Sequence, residues 1–174
     1  MLKLYDYELS GNCYKVRLLL SFLKLPYKQE LIEFYPSKQH KSEAFLRINP
    51  LGQLPVLSDE DVIIRDAQAI LIYLAHKYDK EKTWYPITQT DLLGQVSEWL
   101  FFANELTLTS SAARLHDGFF YTDIHIEKCR KSAHKLFRVL DEQLYFNEQN
   151  GHSWICRSLS PTIADIACFP YTIL

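Results

Sequence analysis

A hydroxyl, an amide and a thiol crowd into Ser10-Gly11-Asn12-Cys13, just ahead of an apolar helical run. A hydroxyl donor beside the N-terminal end of a helix is suited to holding an anion, because both favour negative charge there. The same serine equally suits a plain helix cap or a turn. Cys13 can be a nucleophile or a small buried residue. A second run, Asn49-Pro50-Leu51-Gly52-Gln53, enters a strand through Leu54-Pro55-Val56-Leu57. Asp66 then opens an amphipathic helix, where an acid complements the positive helix end and can also meet a cationic ligand group. Thr162-Ile163-Ala164-Asp165 reads as a capping box in its Asp form, the hydroxyl accepting from the Asp165 amide and the carboxylate from the Thr162 amide. That makes Asp165 a folding device rather than a catalytic acid.

These residues need elements to hold them. Leu2–Tyr5 reads as a strand. From Cys13, the residues Val16, Leu19, Leu20 and Leu23 recur at helical spacing until Pro26. Tyr27–Phe34 alternates as a second strand, and Ser42–Ile48 is a short helix. Leu54–Ser58 and Val62–Arg65 form a hairpin around Asp59-Glu60-Asp61. A helix then runs from Asp66 to about Tyr78, with Ile70, Leu71, Tyr73 and Leu74 on its inner side. The order βαβ, α, ββα predicts a compact α/β module over residues 1–78. The polar stretch 79–88, which contains Pro86, is expected as a linker. From Thr90 only helical patterns appear, at about 90–115, about 122–147 and 162 to the end. Asp117-Gly118 and Asn150-Gly151 are the expected breaks, and Gly94 the one glycine inside a helix. Residues 89–174 are therefore expected to be an all-α domain.

Composition narrows the function classes. The 174 residues carry a net charge of -2 without a basic run, so nothing marks a nucleic-acid or anionic-lipid surface. Residues 1–8 read as a strand rather than a signal peptide, and no apolar stretch is long enough to span a bilayer. The four cysteines form no CxxC pair and are read as reduced thiols of a cytoplasmic protein. The six histidines have no HxxxH or HExxH spacing, so no metal is expected.

Taken in order and spacing, Ser10-Gly-Asn-Cys-Tyr-Lys-Val16, Asn49-Pro-Leu-Gly-Gln-Leu-Pro55, Asp66 with Gln68-Ala69-Ile70, and Thr162-Ile-Ala-Asp165 resemble the glutathione transferase family. The closest flavour is its serine-type group, as in bacterial, theta-like and phi-like members. The resemblance covers essentially the whole chain. It implies a thioredoxin-like domain (βαβαββα) followed by an all-α domain, here lacking the usual last helices. It implies glutathione as co-substrate without a metal, addition of its thiolate to an apolar electrophile, a detoxifying role and a homodimer. A free thiol has a pKa of about 8.5, and lowering it by two units takes roughly 2.7 kcal/mol of preference for the anion.

By the same resemblance Ser10 activates that thiol, with Asn12 able to assist or replace it. Pro55 is cis, so that Leu54 presents its backbone to the cysteinyl unit. Gln53 contacts the peptide, and Asp66 meets the γ-glutamyl ammonium. His40 and Lys41 stand where groups for the glycyl carboxylate belong. Ala67 departs from the Ser or Thr common there, and one lost hydrogen bond to a charged group costs about 1.5–3 kcal/mol of binding. Trp99, Phe102, Leu106 and Arg114 are the candidates to line the electrophile pocket, expected between the two halves, although helical apolar spacing suits a core equally. Two other readings stand beside the transferase. One is a non-catalytic binding or regulatory module of the same fold. The other is a glutathione-dependent reductase or peroxidase using Cys13, which sits in the CxxC slot of the thioredoxin fold with the leading thiol replaced.

Overall fold

Leu2, Leu4 and Asp6 are buried and alternate with Lys3 and Tyr5, and this period of two builds β1 (Leu2–Asp6). The computed structural model describes residues 1–119 and 125–173. Its contacts fall into two units, Met1–Tyr78 and Asp79–Leu174. In the first, a four-stranded sheet has the order β2-β1-β3-β4. β2 (Tyr27–Leu31) runs parallel to β1, while β3 (Val56–Asp59) is antiparallel to β1 and β4 (Val62–Ile64) is antiparallel to β3. A parallel neighbour requires a crossover, which α1 (Gly11–Phe22) supplies. α1 packs on α3 (Ala67–Tyr78), and Val16, Leu19, Leu20, Ile70, Leu71 and Leu74 are fully buried. Tyr5, on the face opposite Leu4, packs instead on a cluster of Ile32, Phe45 and Val56. Phe45 comes from α2 (Glu43–Leu46), which a single 3-10 turn over Gln39–Lys41 precedes.

β2 is shorter than the alternation of residues 27–34 predicts. Ile32 N–H still donates to the Asp6 carbonyl at 2.8 Å, but β1 ends there and offers no further partner. The hairpin loop contains only Glu60 and Asp61, with Glu60 at φ 53°, as two-residue hairpins require. Asp59, expected in the turn, lies in β3 and is buried.

The second unit is helical among its described residues. α4 (Thr90–Leu106) passes through a π-helical turn, Thr107–Ser111, into α5 (Ala112–Phe119). Thr107 and Thr109 hydroxyls bond back to the carbonyls of Ala103 and Glu105 at 3.1 and 2.6 Å, which competes with the ordinary ladder. α5 runs through Asp117 and Gly118 to Phe119, one residue past the expected break, and residues 120–124 lie outside the described residues. A helical glycine costs only about 1 kcal/mol, and Asp117 is held by Arg130 at 3.0 Å and His116 at 3.1 Å. Gly118 therefore joins Gly94 as a glycine inside a helix. α6 (Ile126–Gln149) follows, and the expected start of its pattern at 122–124 lies outside the described residues. α6 stops at Asn150-Gly151, where Gly151 has φ 79°. α7 (Ile163–Cys168) begins at the Thr162–Asp165 capping box. Asp165 Oδ2 accepts from Thr162 N at 2.7 Å and Thr162 Oγ1 from Ala164 N at 3.2 Å. Asp165 Oδ1 also accepts from Ile155 N at 2.9 Å, tying the preceding loop to the helix start. α8 (Pro170–Ile173) ends the described chain. Residues 79–88 belong to this unit. Asp79 is buried and accepts from Trp84 N at 2.8 Å, and Trp84 O accepts from Ile163 N at 2.9 Å.

Candidate functional site

The register of the sheet gathers one end of the first unit. Tyr5 pairs with Val56 and Leu57 with Ile64, so the end of β1, the start of β3 and the end of β4 are neighbours. From that end depart the Ser10 turn, the Leu54-Pro55 entry and the Asp66 helix start.

Ser10 caps α1. Its Oγ accepts from Cys13 N at 3.2 Å, and its own N–H donates to the Tyr7 carbonyl at 3.0 Å. Accepting in this way leaves the hydroxyl hydrogen for donation. Asn12 is half-buried one residue into the helix. Cys13 is fully buried, with Sγ accepting from Tyr7 N at 3.4 Å. Burial pushes its thiol up to about 12, against the lowering by the Ser10 hydrogen bond. A thiol of that kind is thiolate to roughly one part in 10⁵ at neutral pH, which opposes the reductase or peroxidase chemistry expected of Cys13.

Sequence reading missed the group that fixes this turn. Arg17, on α1, donates to the buried Asp6 carboxylate at 2.5 Å and to the Glu8 carbonyl at 2.9 Å. Gln29 Nε2 donates to the other Asp6 oxygen at 2.5 Å. An acid closing a strand and an arginine one turn beyond Cys13 were the available signal.

The loop Asn49–Gln53 folds on itself. Asn49 Nδ2 donates to the Gln53 carbonyl at 2.8 Å, and Leu51 N to Asn49 Oδ1 at 3.1 Å. Gly52 has φ 58°, and a Cβ there would stand 2.7 Å from the His40 carbonyl oxygen. Only glycine fits, and its absence of side chain brings the His40–Lys41 segment against this loop. Lys41 Nζ donates to the Leu51 carbonyl at 2.9 Å. Arg65 Nε reaches the Ile48 carbonyl at 2.6 Å, drawing the start of α3 to the same loop. Gln53 is exposed, Leu54 half-buried, and Leu54-Pro55 is cis as the resemblance implies. Asp66 is exposed, and its Oδ1 accepts from Ala69 N at 2.8 Å, so it caps α3. Ala67, buried, offers no hydroxyl.

His40 is 2% exposed, yet its Nδ1 has no hydrogen-bond partner among the described residues. Its ring lies flat on Phe34, centroids 4.0 Å apart at 10°. Burial lowers its pKa, with Lys41 and Lys38 adding to the effect. Both effects favour the neutral imidazole.

The four pocket candidates lie in the second unit. Trp99 and Leu106 are buried, which gives them a packing role, and Trp99 meets Phe102 edge-on at 4.7 Å and 63°. Phe102 and Arg114 are half-buried. A separate open groove of about 440 Å³ lies at the start of α4, lined by Gln89, Thr90, Asp91, Leu92, Gln95 and Arg157. It contains none of the candidates, and its mostly polar lining suits an apolar ligand poorly. Among the described residues no three His, Cys, Asp or Glu gather as a metal site, and no helix is long and apolar enough to cross a membrane.

Residues 4–82 match the family model described as "Glutathione S-transferase, N-terminal domain". Bovine (Bos taurus) glutathione S-transferase theta-1 is 36% identical over 85 residues, covering 49% of this chain and 35% of the bovine protein. The chain thus matches about a third of that relative's length. The solved glutathione S-transferase of Pseudomonas fluorescens is 30% identical, with TM-score 0.82 over 98% of this chain and 82% of its own. The fold also matches that of Ure2p solved in complex with glutathione, at TM-score 0.85 and 24% identity, over 98% of this chain and 82% of the other.

Proposed function

The chain belongs to the glutathione transferase family, and on that premise we propose that it binds glutathione at the gathered sheet end and conjugates it to an apolar electrophile. The observation that carries this is the convergence at one sheet end of a hydroxyl at a helix N-terminus, a cis-Pro55 strand entry and an acid at a second helix start. Their chemistry fits a tripeptide bearing a thiol, an ammonium and two carboxylates. Leu54 offers backbone groups to the cysteinyl unit, in the manner of an added strand, with Gln53 beside it. Asp66 takes the γ-glutamyl ammonium, and the amides opening α3 take its carboxylate. His40 and Lys41 take the glycyl carboxylate.

Ser10 donates its hydroxyl hydrogen to the sulfur, assisted by Asn12 and the N-terminal end of α1. The thiol proton passes to solvent. The sulfur lone pair then forms a C–S bond to the electrophilic carbon, and either a leaving group departs with its electron pair or water protonates the adduct. Phe102 and Arg114 are the pocket residues with open surface for the electrophile. The working protein is proposed to be a cytoplasmic homodimer with a detoxifying role; four unbridged cysteines suit that compartment.

Calorimetric titration with glutathione, with ultraviolet difference spectra of the bound thiol across pH, tests the reading. Wild type is expected to bind and to show a thiolate band at neutral pH. Ser10→Ala is expected to keep binding, raise the bound thiol's pKa by one to two units and lower turnover about tenfold to a hundredfold. Unchanged turnover would remove Ser10 from the chemistry. Ala67 favours a second reading, in which the site binds glutathione but does not turn it over. Binding with no thiolate band and no conjugation of any electrophile would favour that module.

A further inference from the structure

Tyr7, Phe34 and His40 form a column of rings. Tyr7 stacks on Phe34 at 5.4 Å and 28°, and Phe34 on His40 at 4.0 Å and 10°. The column joins two parts of the site that no strand connects. At one end Tyr7 is fastened into the Ser10 turn, through its carbonyl to Ser10 N and its amide to Cys13 Sγ. At the other end stands His40, beside Lys41, against the Gly52 backbone. Between them the chain is an irregular loop, closed by Gln39 N to the Glu33 carbonyl and Glu33 N to Gln39 Oε1, both at 2.8 Å.

His40 is an odd residue for such a position if packing alone is served. A buried nitrogen without a partner costs stability that a phenyl ring in the same stack would not. Its ring plane is set by Phe34, and no hydrogen bond to Nδ1 shares that work. We infer that Phe34 is a positioning residue: by stacking between Tyr7 and His40 it orients the His40–Lys41 arm toward the ligand's glycyl carboxylate. This deepens the proposed function and rests on its assignment of that arm.

The test compares glutathione with γ-glutamylcysteine, which lacks the glycyl unit, by calorimetry on the whole chain. Wild type is expected to prefer glutathione by about tenfold or more, the loss expected for charged contacts. Phe34→Leu removes the flat ring and is expected to weaken glutathione about fivefold to tenfold while leaving γ-glutamylcysteine unchanged, so the preference collapses. Phe34→Tyr, which keeps the ring, is expected to retain it. Phe34→Met is the second flexible variant and is expected to behave as Leu does, should Leu impair folding. A preference that survives in the Leu and Met variants, whether both affinities hold or fall together, would overturn the positioning role alone. A wild-type protein that binds neither ligand, or binds both equally, would overturn the arm's assignment and the inference with it.

Discussion

Two buried polar side chains sit at opposite ends of the same sheet and are treated in opposite ways. Asp59 pairs with Leu2 at the start of β1, away from the site. Its Oδ2 accepts from Lys77 Nζ at 2.6 Å, Tyr78 Oη at 2.6 Å and Tyr73 Oη at 2.7 Å. Burial pushes its pKa up, but the bonds from Lys77, Tyr78 and Tyr73 outweigh it and hold the carboxyl at about 2. His40, at the other end, is equally buried, and its Nδ1 has no partner among the described residues. A satisfied buried group contributes to stability. An orphaned one reduces it.

The largest expected effect breaks the satisfied end. Asp59→Asn leaves Lys77 and two tyrosines around a neutral acceptor and should lower unfolding free energy by about 3 kcal/mol. Urea denaturation measures this. Glutathione affinity of the folded fraction should not move, and a parallel loss of affinity would mean that the two ends are coupled.

Next comes pH. The folded pKa of Asp59, about 2, lies below its ordinary value of 3.8, so the folded state favours the carboxylate. That stability is fully present above about pH 5 and is lost as pH falls toward 2. The difference amounts to about 2 kcal/mol. Unfolding midpoints followed from pH 6 to 2 should fall for wild type, and Asp59→Asn should lack this part of the slope. Equal slopes in the two proteins would remove Asp59 from the acid response.

The smallest effect has the opposite sign. His40→Phe keeps a flat ring on Phe34 and removes the unpartnered nitrogen. It should stabilise the fold by about 1 kcal/mol and weaken glutathione. A destabilised variant would mean that the imidazole is satisfied in solution, and the contrast between the ends would then dissolve.

The candidate site was legible in the chain where its parts are local. The cap at Ser10 and the acid at Asp66 each bond a residue three positions on, so spacing alone reveals them, as it reveals the Thr162–Asp165 box in the second unit. The comparison with Asp59 was not legible. An Asp-Glu-Asp run reads as a turn, and the donors that make Asp59 a hub lie 14 to 19 residues away.

By itself the sequence determined the two-part architecture and the element order of the first unit. Helical and strand periods and caps are short-range, and they survive without knowledge of what packs on them. Only the tertiary structure decided which polar groups find partners. It turned Asp59 into an anchored acid, set Arg17 on Asp6 beside the Ser10 turn, and stacked His40 on Phe34 with its Nδ1 unpartnered among the described residues. The physical reason is that satisfaction of a buried group depends on distant chain segments meeting within hydrogen-bond reach, and spacing along the chain does not encode that meeting.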